Sequence, residues 1–204
     1  MENRTTPAKI TRPRPGDTYA RARLFKWLDR AQRRPLIWVS GSPGSGKTLL
    51  IADYLARRRI RTLGYQADGG DADLATFFHY LTLAANRLAP RPRHPLPAFG
   101  PDRLDDLERF ARALFNALFA RLKPPFALVL DNYQEIPAGA ELHEVLRVAV
   151  EALPAGGHII GISRMGPPPI LARTRLNDAM TLLDDAALRL TVEEAQGIAR
   201  LRAP

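Results

Sequence analysis

The sequence predicts an α/β protein, a three-layer sandwich of helices on a mostly parallel central sheet, and two observations predict it. Short apolar runs bounded by turn residues alternate with longer segments in which apolar residues recur every three or four positions. One of those runs, LIWVS at 36–40, leads directly into the glycine-rich stretch GSPGSGKT at 41–48 and then into the helical pattern TLLIADYLARR. Strand, tight loop and helix in that order open a strand–helix–strand unit, whose sheet is buried on both faces.

A basic lead-in and first helix occupy 1–34, where ten Lys/Arg stand against three acids and account for most of the net charge of +9. Such a charge suits polyphosphate, nucleic acid or a solvated basic face, and no aromatic interleaving singles out nucleic acid. The core is expected over 35–187. Its strands are LIWVS (36–40), TLGYQ (62–66), FALVL (126–130) and HIIGIS (158–163), four runs short enough for buried parallel strands. Between them, Leu74, Phe77, Phe78, Leu81, Ala85 and Leu88 form one core-facing helical stripe. Leu104, Leu107, Ala111, Leu114, Phe115, Leu118 and Leu122 form a second. The stretch 89–101 holds five prolines, which fix φ and remove backbone donors, so it connects the two helices. The tail 188–204 carries a capping box, with Thr191 as N-cap and Glu194 three positions on, so a helix starts there with Ala195, Ile198 and Leu201 along one side. That helix reads as the opening of a following helical or winged-helix module, and the chain as a fragment of a longer protein.

Composition removes several classes of function. There is no cysteine, so neither disulfides nor thiolate metal sites are available, and the four histidines show no ligand spacing. No apolar stretch reaches the ~18 residues of a membrane helix, and the basic N-terminus lacks a following apolar h-region. A soluble, cytoplasmic protein without membrane contact is expected.

GSPGSGKT matches G-x-x-x-x-G-K-[ST] in the strand-to-helix setting that gives the pattern its specificity. Gly41, Gly44 and Gly46 let the backbone of Gly41, Ser42, Pro43, Gly44, Ser45 and Gly46 wrap around phosphates with the N–H groups of all but the proline available to turn inward, and the following helix adds its positive end. Lys47 reaches the outer phosphates, and the Thr48 hydroxyl is a magnesium ligand. LVLD at 128–131 completes the pair. An apolar strand ending in Asp131, 83 positions after Thr48, brings a carboxylate to the same metal.

The motifs in order are PRPGDTYARARL (13–24), GSPGSGKT, GYQADGGDADLATFFHYL (64–81), LVLDNYQEI (128–136), ISR (162–164), ILARTRL (170–176) and LRLTVEEA (188–195). This set resembles the nucleotide-binding domain of signal-transduction ATPases with numerous domains, the STAND-type P-loop NTPases, in particular bacterial maltose-activator and large LuxR-type regulators. The resemblance covers nearly the whole chain. It implies an AAA ATPase-like P-loop NTPase fold, ATP/ADP and magnesium as cofactors, and a role in signal transduction and transcription regulation. It also implies that the lead-in covers the base, which gives Arg21 and the stretch Arg12 to Asp17 a nucleotide role, and that Arg164 senses the γ-phosphate. Downstream domains and self-association in the ATP-bound state follow as partners, with direct DNA contact by this segment unexpected.

One position departs from the family pattern. Asn132 stands where a second acid usually follows the metal-associated aspartate; an amide orients water but accepts no proton at neutral pH. Glu135 is the nearest replacement, and Asp68 and Asp71 either face the phosphates or cap a turn. The expectation is an ATP-binding, slowly hydrolysing, magnesium-dependent regulatory switch. A nucleic-acid-stimulated ATPase and a phosphotransfer enzyme are the alternatives.

Overall fold

In a computed structural model, the described residues are 7–11, 18–88 and 95–202. The Arg12 to Asp17 stretch and the first half of the proline connector lie outside them.

Five strands form one fully parallel sheet in the order β2-β3-β4-β1-β5, with β1 Leu36–Ser40, β2 Arg61–Gln66, β3 Phe126–Asp131, β4 Gly157–Ser163 and β5 Met180–Leu183. Four were expected. The fifth, MTLL, is only four residues long, and its neighbours Asn177 and Asp178 are turn formers, so no periodicity marks it. It pairs with β1 from Leu36↔Met180 to Val39↔Leu183 and closes the far edge.

Alternate residues along each strand feed opposite faces. Ile37, Val39, Val129, Ile160 and Ile162 share one core with α1 (Ala22–Ala31) and α2 (Lys47–Arg57). Leu36, Trp38, Leu128, Leu130 and Ile159 point the other way, into the larger core under α3 (Leu74–Leu88), α4 (Leu107–Phe119) and α5 (Leu142–Glu151). The result is the expected three-layer sandwich. Leu104 leaves the stripe assigned to it: it sits in a 3-10 turn, Pro101–Asp106, and is 49% exposed, because α4 begins only at Leu107.

Glycine in the middle of β4 has a packing reason. Gly161 pairs with Trp38, and a Cβ there would lie 2.5 Å from the indole ring. The strand gives up a side chain so that its neighbour can keep a large one.

Between β4 and β5 the chain makes the short helix α6 (Ala172–Leu176), and after β5 the short α7 (Asp185–Leu188) and finally α8 (Val192–Arg202). The capping box at α8 forms as the sequence predicts: the Thr191 hydroxyl accepts from the Glu194 amide at 3.1 Å, and Glu194 Oε2 accepts from the Thr191 amide at 3.2 Å. Among the described residues no helix is long and apolar enough to cross a membrane.

Candidate functional site

In a parallel sheet the carboxyl ends of the strands open toward a ligand crevice. Four of the sequence-selected groups gather there. Between β1 and α2 the backbone bends through Gly44 (φ +79) and Gly46 (φ +81), both left-handed, as an anion-cradling loop requires, while the amides of Gly41, Ser42 and Ser45 donate to the Ser163 carbonyl (3.3 Å), Asp185 Oδ1 (2.7 Å) and the Ser42 carbonyl (3.2 Å). Gly41 is needed for a different reason. A Cβ there would meet Leu188 Cδ1 at 2.8 Å and Asp185 Oδ1 at 3.0 Å, so the α7 turn packs directly on the loop.

Lys47 is buried, and its ammonium donates to the carbonyls of Gly41 at 2.6 Å and Ser42 at 2.8 Å and to Ser45 Oγ at 3.2 Å. Burial pushes its pKa below the ordinary lysine range; Arg164 adds to the effect, while Asp131 and Asp185 oppose it. The Thr48 hydroxyl donates to Asp131 Oδ2 at 2.8 Å, so the loop helix and the end of β3 meet although 83 positions separate them. Asp131 Oδ1 accepts the Asn132 amide at 2.8 Å. A hydroxyl and a carboxylate side by side form a hard-oxygen donor pair that suits magnesium, which keeps water and phosphate oxygens as its other ligands. Among the described residues no three His, Cys, Asp or Glu converge into a protein-only cage.

Asn132 takes a left-handed backbone (φ 56), a conformation asparagine tolerates, and opens the 3-10 turn Tyr133–Glu135. Glu135 lies on the exposed side of that turn, with its Oε1 accepting from Gln134 Nε2 at 3.0 Å. Arg164 follows β4 directly and is exposed; its backbone N–H donates to Gln134 Oε1 at 3.0 Å.

Arg21 lies in the wall of the cleft, with its guanidinium directed at the C-terminal segment. Nε and Nη2 donate to Glu194 Oε2 at 3.1 and 3.0 Å, and Nη2 also to the carbonyls of Leu188 (2.7 Å) and Arg189 (3.1 Å). Burial raises the Glu194 carboxyl, but hydrogen bonds from Arg21 and Arg23 outweigh it and hold the group below the usual glutamate range. Gly197 completes the contact: a Cβ there would lie 2.1 Å from the Tyr19 ring, so α8 rests its backbone on the lead-in. Asp68 and Asp71 are taken up elsewhere. They cap the turn Gly69–Ala72 and both accept from Lys9 at 2.7 Å, so turn capping, and not the phosphate site, is their place.

Two clefts flank α2. The one of about 470 Å³ is walled by Gly44, Ser45, Gly46, Tyr19, Asp53 and Ile198, among others, and so runs from the anion cradle to the lead-in and α8. The other, about 670 Å³, is mostly apolar (Ile51, Leu55, Val129, Ile162) and touches the site only through Thr48, Asp131 and Asn132. Size does not decide between them. The glycine loop lines the smaller cleft, which makes it the candidate place for a phosphorylated ligand. Asp185 is the residue that sequence reasoning missed here: its Oδ1 accepts from the amide (2.7 Å) and hydroxyl (2.6 Å) of Ser42, which hold its carboxyl below the usual range. Its only sequence signal, Asp184-Asp185 before a short helix, reads as an ordinary N-cap.

Comparison with known proteins agrees with this geometry. The AAA ATPase domain model matches residues 18–162. The chain is 28% identical over 195 residues to the HTH-type transcriptional regulator MalT of Vibrio campbellii (strain ATCC BAA-1116), covering 92% of this chain and 21% of that protein. It is 32% identical over 197 residues to MalT of Yersinia pestis (strain Pestoides F), covering 93% and 21%. The chain thus spans about a fifth of the relatives it matches, and the resemblance to the maltose-activator nucleotide-binding domain holds. Among solved structures, the Walker-type ATPase PABY2304 of Pyrococcus abyssi superposes with a TM-score of 0.59 at 16% identity, covering 93% of this chain and 59% of that one. Drosophila ORC bound to AT-rich DNA and Cdc6 gives 0.52 at 12%, covering 86% and 57%. At those identities the likeness is one of fold.

Proposed function

Because the chain belongs to the AAA ATPase domain family, we propose that the cradle from Gly41 to Thr48 holds ATP or ADP with magnesium and that the domain is a slowly hydrolysing regulatory switch within a larger transcription regulator. The observation that carries this reading is the Thr48–Asp131 contact at 2.8 Å, which puts a hydroxyl and a carboxylate at the mouth of the glycine loop.

Each residue has a separate task. The N–H groups around Gly44 and Gly46 bind phosphate oxygens, and Lys47 exchanges its own loop's carbonyls for the outer phosphates. Thr48 and Asp131 hold magnesium, which when bound supplies charge neutralisation to the phosphates. Arg164 faces the γ-phosphate. Asn132 orients the attacking water without accepting its proton, and Glu135, exposed and engaged with Gln134, gives little help; a long-lived triphosphate state results. Slow turnover suits a protein whose partners depend on the nucleotide held. Tyr19 and α8 wall the base end, with Arg21 acting through the fold and not by direct contact. In the intact protein, other segments carry DNA recognition, and the ATP-bound state favours self-association.

The test is calorimetric titration of Mg-ATP. Binding is expected in the unaltered protein, and Lys47→Ala is expected to weaken it at least about tenfold, or ~1.4 kcal/mol, because the main cation of the cradle is gone. Equal affinity in the two proteins would remove residues 41–48 as the site.

A further inference from the structure

The turn after β3, which carries Asn132, and the loop after β4, which carries Arg164, are joined by a residue with no role so far. Gln134 is half-buried between them. Its Oε1 accepts the backbone N–H of Arg164 at 3.0 Å, and its Nε2 donates to Glu135 Oε1 at 3.0 Å. One carboxamide therefore uses both ends, one on the loop after β4 and one on the turn after β3. A neutral acceptor and a neutral donor on a short stem fix a separation between the two loops in a way that a charged or apolar side chain of that size does not.

The same two loops are tied again beneath the surface. Trp38, fully buried in β1, donates its indole N–H to the carbonyl of Met165 at 3.0 Å, one residue past Arg164. Its ring meets Tyr133, one residue before Gln134, edge to face at 5.1 Å. Tyr133 is in turn held in place. The His143 Nε2–H donates to the Pro137 carbonyl at 3.0 Å, and burial holds the imidazole pKa below the ordinary histidine value, so in the neutral ring Nδ1 accepts from the Tyr133 hydroxyl at 2.9 Å. Trp38 thus anchors Tyr133 and Met165 from below, while Gln134 spans their neighbours above.

We propose that Gln134 is a positioning residue that locks the Asn132–Glu135 turn to the backbone of Arg164, so that the water-orienting side and the phosphate-sensing side of the cleft move as one unit, with Trp38 as the buried end of the same brace. The inference rests on the reading of the cleft as an ATP site. Gln134 itself contacts no reacting atom. Its effect is on geometry, and a small displacement of an orienting group lowers rate far more than it lowers binding.

The brace can be tested with and without nucleotide. In a Trp27→Phe background, which leaves Trp38 as the single indole, Gln134→Leu keeps a side chain of similar bulk, one atom shorter, and removes both hydrogen bonds. Gln134→Glu keeps the acceptor for the Arg164 amide. Without nucleotide, the Arg164 amide is expected to exchange with solvent about tenfold faster in Gln134→Leu and close to the parent rate in Gln134→Glu. With Mg-ATP, Gln134→Leu is expected to bind within about twofold of the parent yet to hydrolyse about tenfold more slowly in a single turnover, and to lack the change in Trp38 emission expected of the parent on binding. If the parent binds Mg-ATP while Gln134→Leu matches it in amide exchange, single-turnover rate and Trp38 emission, the brace is wrong and the ATP reading stands. If the parent does not bind Mg-ATP, both readings fall. A loss of affinity in Gln134→Leu equal to its loss of rate assigns Gln134 to binding and also overturns the proposal.

Discussion

The two rims of the sheet are both rich in cations and use them in opposite ways. At the carboxyl rim, Lys47 is buried against the carbonyls of its own loop, within reach of Asp131 and Asp185. At the amino rim, Arg33, Arg59, Arg61 and Lys123 are exposed at the starts of β1, β2 and β3 and in the segments that lead into them, and Arg58 pairs with Asp29 at 2.6 Å on the surface. The rim with more charge is the one without a cradle. What makes a cation functional here is an enclosing backbone that gives it one place to go, and net charge carries no information about that.

Three changes break or sharpen this contrast. The largest effect is expected at the carboxyl rim from Asn132→Asp, which restores a proton acceptor and should raise single-turnover ATP hydrolysis by about 10², measured at saturating nucleotide so that added repulsion does not enter. Glu135→Gln is its partner. If Glu135→Gln abolishes turnover while Asn132→Asp leaves it unchanged, Glu135 carries the base and Asn132 does not slow the site.

A moderate effect is expected at the clasp between lead-in and α8. The Glu194 carboxyl is held below its ordinary value of 4.5, so its contribution to stability is fully present above that value and is lost as pH falls through the lowered folded value. Thermal melting should therefore weaken on acidification below 4.5 more steeply in the parent than in Glu194→Gln. Parallel acid limbs would detach the clasp from stability. The smallest effect is expected at the amino rim, where replacing Arg33, Arg61 and Lys123 together by serine should change Mg-ATP affinity by less than about twofold. A strand of five or six residues separates the rims by roughly 17–20 Å, about two screening lengths at physiological salt. A tenfold loss in calorimetry would erase the contrast between the rims.

The sequence made local features legible and left tertiary ones hidden. Four strands, the glycine loop, Asp131 and the Thr191–Glu194 capping box all announce themselves within a dozen residues, because period, turn chemistry and caps are local physics. β5 was hidden because four residues are too few for a period. Asp185 on Ser42, Arg21 on Glu194 and Gln134 on Arg164 were hidden for another reason: their partners lie 143, 173 and 30 positions away, and nothing in the local pattern of either partner encodes the meeting. Glu194 shows both sides, legible as a cap and not as the acid that holds two arginines. Asp68 and Asp71 show the reverse: a phosphate role and a turn role are alike in sequence, and only the position of Lys9 separates them.

The contact between Tyr19 and Gly197 also sets an order of assembly. Loop closure costs more as the intervening chain lengthens, and contacts of high sequence separation form after the local ones that shorten the effective loop. Arg21 and Glu194 are 173 positions apart, and the glycine that lets α8 settle on Tyr19 weakens that helix as an independent unit. A folding chain can therefore build its sheet, its glycine loop and both cores while one wall of the nucleotide cleft is still missing. In pulse-labelled refolding, the amides of Thr191 and Glu194 should gain protection after those of β1 and β4, so that the cleft is completed from its base end last.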